Sequence, residues 1–131
     1  MNLFLYIRAG VDKLTYPPAW TGKYQTGNIS FFDLDNFSSR EVVAVGCEAV
    51  KRSDSGIVCI DIQDESVSLT NLFPLFKAIL SRDMGFHWFI AGRHERIGIF
   101  LKKAKACTIV SDYSELEKNI ERFFAQNCDS W

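Results

Sequence analysis

The sequence predicts a single α/β domain spanning residues 1–131, with a mainly parallel central sheet of about four to five strands and about four helices. Three observations lead there. Short apolar runs recur at Ile57 to Ile62, Phe86 to Ala91 and Cys107 to Val110, nearly unbroken as buried parallel strands are. Segments with apolar residues at helical spacing alternate with them. The connections are short, so each strand must return to the same sheet through a helical, right-handed crossover.

In chain order, Leu3 to Arg8 reads as the first strand. Tyr16-Pro17-Pro18-Ala19-Trp20-Thr21-Gly22 cannot be a central strand, because two prolines remove ladder donors, so residues 1–26 read as a strand followed by a proline-containing loop. Tyr24 to Phe32 is expected to hold a second strand that pairs with the first. Ser38 with Glu41 forms a capping-box pattern ahead of Val42, Val45, Ala49 and Val50, a helix closed by Lys51 and Arg52. Ser53 to Gly56 is a turn.

After the strand Ile57 to Ile62, Leu72, Leu75, Phe76, Ile79 and Leu80 make one apolar stripe ending at Asp83-Met84-Gly85. Pro74 is tolerated only in a first turn, which puts the helix start at Thr70 or Asn71, both acceptable caps. A third helix is expected from the Gly92-to-Glu95 turn to about Lys105. Ser114 with Glu117 is a second capping box, opening a helix with Leu116, Ile120, Phe123 and Phe124 inward.

Composition narrows the function classes. Apolar residues at 47% and aromatics at 14% describe a globular chain rather than a disordered one. Fifteen basic against sixteen acidic side chains give a net charge of −1, which argues against nucleic acid as a partner. The apolar stretch of MNLFLYIRAG is too short for a signal core or a membrane span, so a soluble, cytoplasmic protein without membrane insertion is expected. Cys47, Cys59, Cys107 and Cys128 show no metal or redox spacing and read as reduced, with Cys59 and Cys107 packed inside strands. No nucleophile elbow, Walker loop or dinucleotide glycine motif occurs, and no cofactor or metal is expected.

Ligands of open parallel sheets meet the loops at the carboxyl ends of the strands. Here those loops carry Gln63, Asp64, Glu65 and Ser66, then Gly92, Arg93 and His94, then Ser111, Asp112 and Tyr113. One reading makes His94, Arg93 and Asp112 an acid–base set, or Arg93 an anion holder. The other makes the acids ordinary helix caps on a solvated rim. The stretch IVCIDIQDE is similar to a response-regulator receiver strand, but no acid pair follows the first strand and no lysine ends the last.

The element order resembles a STAS domain, the family of anti-sigma-factor antagonists and sulfate-transporter tails. The likeness runs over residues 27–124, through GNISFFDLDNF, GIVCIDI, GFHWFIAG and SDYSELEKNIERFF. It implies a non-catalytic, bacterial regulatory domain whose D-S-S-G-like turn is phosphorylated by a kinase-like protein partner. Asp61 matches the strand aspartate, and Leu69-Thr70-Asn71-Leu72 falls at the turn, with Leu69 and Leu72 replacing the acid and the glycine. The resemblance thus implies Thr70, Ser68 and Ser66 as switch hydroxyls, and Asp61, Asp64, Glu65 and Asn71 as the partner-facing surface. Surplus aromatics left exposed would add a docking or homodimer face.

Overall fold

The computed structural model describes residues 2–82 and 85–127. It is an α/β domain with one five-stranded sheet, every neighbouring pair parallel. The strands are β1 (Asn2–Ala9), β2 (Ile29–Asp35), β3 (Gly56–Ile62), β4 (Phe86–Ala91) and β5 (Cys107–Val110), in the spatial order β2-β1-β3-β4-β5. The described helices are α1 (Arg40–Arg52), α2 (Phe73–Ser81), α3 (Glu95–Leu101) and α4 (Tyr113–Gln126), with single 3₁₀ segments at Ala19–Tyr24 and Thr70–Leu72. None of them is long and apolar enough to cross a membrane.

Strand order dictates which face each connection covers. The first connection steps outward from β1 to β2, whereas the next three step the opposite way across the sheet. A right-handed crossover reverses face when it reverses direction. Accordingly α1, α2 and α3 pack with Leu3, Leu5, Ile7, Val58, Ile60 and Trp88 on one face. The 3₁₀ segment at Ala19–Tyr24 and α4 cover Phe4, Tyr6, Ile57, Cys59 and Phe89 on the other. β1 and β3, at the middle of the sheet, are buried on both faces, which is why GIVCIDI has no polar alternation.

Local signals set the element ends with a few shifts. Ser39, not Ser38, caps α1, accepting from Val42 N at 3.2 Å. Ser38 instead accepts from Asp35 N at 2.9 Å, because the buried Asp35 carboxylate organises that turn through Phe37 N and Leu14 N. β2 begins five residues later than Tyr24, which belongs to the 3₁₀ segment. Asp112, two residues before Ser114, caps α4 in its place and accepts from Glu115 N at 3.2 Å. α3 stops at Leu101 rather than near Lys105, and α2 stops at Ser81. Residues 83 and 84, expected at that end, and Cys128 lie outside the described residues.

Gly92 fixes the approach of the β4–α3 turn to the sheet. Its φ of +92° suits glycine, and a Cβ there would stand 2.5 Å from the Ile62 carbonyl oxygen. Cys47, Cys59 and Cys107 are free thiols, and Cys107 is exposed against expectation because β5 is an edge strand.

Candidate functional site

The loop from β3 to α2 is built by short-range hydrogen bonds. Asp64 Oδ1 accepts from Ser66 N at 2.8 Å and from the Ser66 hydroxyl at 2.6 Å, an Asx turn that holds the Asp64 carboxyl below its ordinary range. Glu65 is exposed beside it. Leu69 and Leu72 are buried and anchor the following 3₁₀ turn to the core. Thr70, between them, faces solvent. It makes no capping bond; its hydroxyl lies 3.1 Å from that of Ser68, also exposed. The helical start is therefore pinned by Leu69 and Leu72, and the hydroxyl is left outward.

Asn71 is half-buried on the lining of a groove between α1 and α2. Its amide donates to the Asn36 and Ser38 carbonyls, both at 2.9 Å, and staples the start of α2 to the β2–α1 loop. That staple sets one end of the groove, which holds about 490 Å³. Val43, Ala44, Cys47 and Pro74 supply apolar wall, and Arg40, Thr70, Asn71 and the paired Glu48 and Lys51 supply its polar rim. Arg40 and this groove carry no local sequence signal, because the lining comes from two helices that meet only in the fold.

A second groove, of about 560 Å³, opens at the carboxyl end of β4. Ile90, Ile97, Leu101 and Ile109 make it apolar, with Glu65, Arg93 and His94 along the rim. His94 is the side-chain cap of α3: Nδ1 accepts from Arg96 N at 3.2 Å, and Nε2 lies 2.7 Å from the Val67 carbonyl oxygen. The carbonyl can only accept and the backbone N–H only donate, so Nε2 donates and Nδ1 accepts. Both ring nitrogens are thus occupied by backbone. No described carboxylate bonds to His94; Asp112 is bound to Ser114 Oγ at 2.6 Å and to Glu115 N, which keep its carboxyl below the ordinary range. Arg93 is exposed.

Asp61 corrects the expected negative surface. It is 3% exposed and points to the face covered by α4, since β3 at the sheet centre has no wet side. Its Oδ2 accepts from the Tyr6 hydroxyl and from the Gln63 amide, both at 3.0 Å. Burial raises the carboxyl above its ordinary value, outweighing those bonds and the nearby Arg8 charge. Tyr6 is raised too, by burial and then by Asp61. Arg8, register partner of Asp61, donates to the Asp12 carbonyl at 3.2 Å and leaves Nε buried without a partner. Sequence reasoning missed this cluster. The usable signal was an acid ending an apolar strand, which needs a polar partner once buried. No second carboxylate or lysine is bonded to Asp61, and no group of three metal-binding side chains occurs among the described residues.

No family model, no curated protein and no solved structure matches this chain.

Proposed function

We propose that the chain is a non-catalytic, STAS-like regulatory domain of the bacterial cytoplasm that docks a protein partner through the groove between α1 and α2. The partner-facing turn is Thr70–Leu72, and Thr70 is the hydroxyl a kinase-like partner modifies, with Ser68 and Ser66 as secondary acceptors. One observation carries the reading: Thr70 is exposed at the rim of the groove and spends its hydroxyl on no helix cap. A phosphoryl group there would sit near the start of α2, whose positive dipole end favours an anion. Arg40, on the same rim, supplies a cation of the kind that recognises phosphothreonine.

Two measurements test it. Site mapping on the chain isolated from its own cells should find a phosphoryl group on Thr70; peptides unmodified across growth conditions overturn the switch. A photo-reactive residue in place of Ala44, inside the groove, should cross-link one discrete protein, and the same residue at Tyr16 should not. Equal labelling from both positions overturns the docking surface.

A second reading is favoured by the groove at Arg93. An apolar cleft of about 560 Å³ at strand ends suits a small amphipathic anion, with Arg93 holding its charge. Arg93→Ala would then abolish calorimetric binding of medium-chain carboxylates, and no binding by the unmodified chain sinks this alternative.

A further inference from the structure

The order of strands reverses between β1 and β3. The connection leaving β1 runs outward to β2 over the face of α4, and the one leaving β3 runs the other way to β4 over the face of α2. Neighbouring parallel strands whose connections part to opposite faces leave a crevice at their carboxyl ends, which is where open α/β sheets take ligands. Here the crevice lies between Ala9-Gly10 and Ile62-Gln63, and it shares no residue with the grooves at α1 or at β4.

Arg8, next to last in β1, stands there. Its register partners are Asp35 on β2 and Asp61 on β3, so the three share one face of the sheet. A cation between two carboxylates ordinarily spends its donors on them. Arg8 does not. Asp35 accepts from Leu14 N, Phe37 N and the Ser38 hydroxyl, and Asp61 from the Tyr6 hydroxyl and the Gln63 amide. Arg8 Nη2 donates to the Asp12 carbonyl at 3.2 Å, and Nε is buried with no partner. A buried donor on a charged group is costly to leave unbonded, and this is the one such side-chain atom among the described residues. Gly10 completes a cradle beside it: a Cβ there would stand 3.3 Å from Arg8 Nε and 3.4 Å from Gln63 Oε1. The Gly10 N–H is held by Asn36 Oδ1 at 3.1 Å, which fixes the cradle in place. Gln63 is exposed, so the side chain over the cradle is one that can move.

We propose that the crevice between β1 and β3 binds the carboxylate of a small organic acid. One carboxylate oxygen accepts from Arg8 Nε in the space beside Gly10, and Gln63 turns aside to admit it. A guanidinium and a carboxylate match in plane and in donor spacing. Charge selects this class over phosphate. Asp35 and Asp61 stand one strand away on either side, and the guanidinium offsets one added negative charge but not two. The site involves neither Thr70 nor Arg93, so it stands or falls apart from both readings above.

The probe is acetate, added at fixed pH and ionic strength to the full chain carrying isotope-labelled arginine. In the NMR spectrum of the arginine Nε–H groups, the Arg8 signal should move and saturate in the millimolar range. It is identified by its loss in Arg8→Lys or, should that variant unfold, by its nuclear Overhauser contact with the Gly10 α-protons. Inorganic phosphate and chloride at the same ionic strength should leave it in place. Gly10→Ala sets a methyl group where the oxygen would lie and should weaken binding about tenfold or more. Its neighbours there are side-chain ends that can shift, so the thermal midpoint should stay close to that of the unmodified chain. Gln63→Ala should speed exchange of the Arg8 Nε–H with water, and Arg93→Ala should change nothing. A signal that acetate never saturates means that water alone satisfies Arg8, and overturns the proposal. So does a shift that phosphate or chloride reproduces, that survives Gly10→Ala in a folded chain, or that disappears with Arg93→Ala. Unchanged exchange in Gln63→Ala overturns the role of Gln63 as cover.

Discussion

The two faces of the sheet bury similar strands by different means. On the face of α1, α2 and α3, aliphatic side chains from β1, β3 and β4 meet three successive crossover helices, with Phe73, Phe76, Trp88 and Phe100 as an aromatic knot. On the opposite face the described residues supply α4 and one 3₁₀ segment, and rings fill the space. Phe4 packs against Trp20, Tyr24, Phe31 and Phe124, the last nearly parallel at 8°. Trp20 Nε1 donates to the Tyr113 hydroxyl at 2.7 Å, tying the 3₁₀ segment to the start of α4. Large rings cover area that helices would otherwise cover. The same face carries the buried Asp61 and Tyr6 pair, which the exposed Gln63 reaches, so its core is mixed where the other is apolar. The hydroxyls and grooves, by contrast, border the three-helix face.

The largest expected effects test whether the faces share one cooperative core. Phe76→Ala and Phe4→Ala should each cost about 3–5 kcal/mol in urea unfolding, as buried aromatic truncations do. If Phe4→Ala instead frees only residues 10–28, seen as faster amide exchange there with an unchanged global midpoint, the aromatic face is a separate unit. Gly92→Ala comes next, at about 2–3 kcal/mol, because the left-handed φ and the Ile62 carbonyl both oppose a Cβ. A thermal midpoint within error of the unmodified chain would show that the β4–α3 turn can relax.

Asp61→Asn probes the polar group of the mixed face, and its sign depends on pH. Burial holds the folded carboxyl above its unfolded value, so folding favours the protonated form. The stabilising contribution is fully present below the unfolded carboxylate range and is lost as pH rises through the raised folded value. An amide oxygen in place of Oδ2 keeps both the Tyr6 and Gln63 bonds. The variant should therefore be more stable than the unmodified chain at neutral pH, and the advantage should shrink on acidification. A destabilised variant at neutral pH would mean that the charge is held favourably, with Arg8 the dominant neighbour. Thr70→Ala is the smallest effect. An exposed hydroxyl that caps nothing should change stability by less than about 0.5 kcal/mol, and a larger loss in a thermal melt would reassign it to a structural role.

How far each feature was legible follows from the range of the forces behind it. Ile57 to Ile62 and Phe86 to Ala91 were readable because a strand covered on both faces must be apolar along its length, whereas Cys107 to Val110 was readable from its apolar run alone and proves to be a half-exposed edge strand. Pro74 marked the first turn of α2 for an equally local reason, its missing donor. Caps were readable only to within a residue or two: Ser38 and Ser39, or Asp112 and Ser114, offer equivalent oxygens, and the chain path into the helix chooses between them. Of the expected site residues, Thr70, Ser68 and Ser66 were placed outward as their polarity suggested. Asp61, Asn71 and His94 were not, because each answers to a partner far away in the chain: Tyr6, the Asn36 and Ser38 carbonyls, and the Val67 carbonyl.

The sequence by itself determined an α/β chain, since apolar period and turn residues act over a few neighbours and survive without knowledge of the fold. Only the tertiary structure decided the strand order, the all-parallel pairing of β1 with β2, and which polar groups face water. Those depend on contacts between residues tens of positions apart, such as Tyr6 with Asp61, which no local pattern encodes.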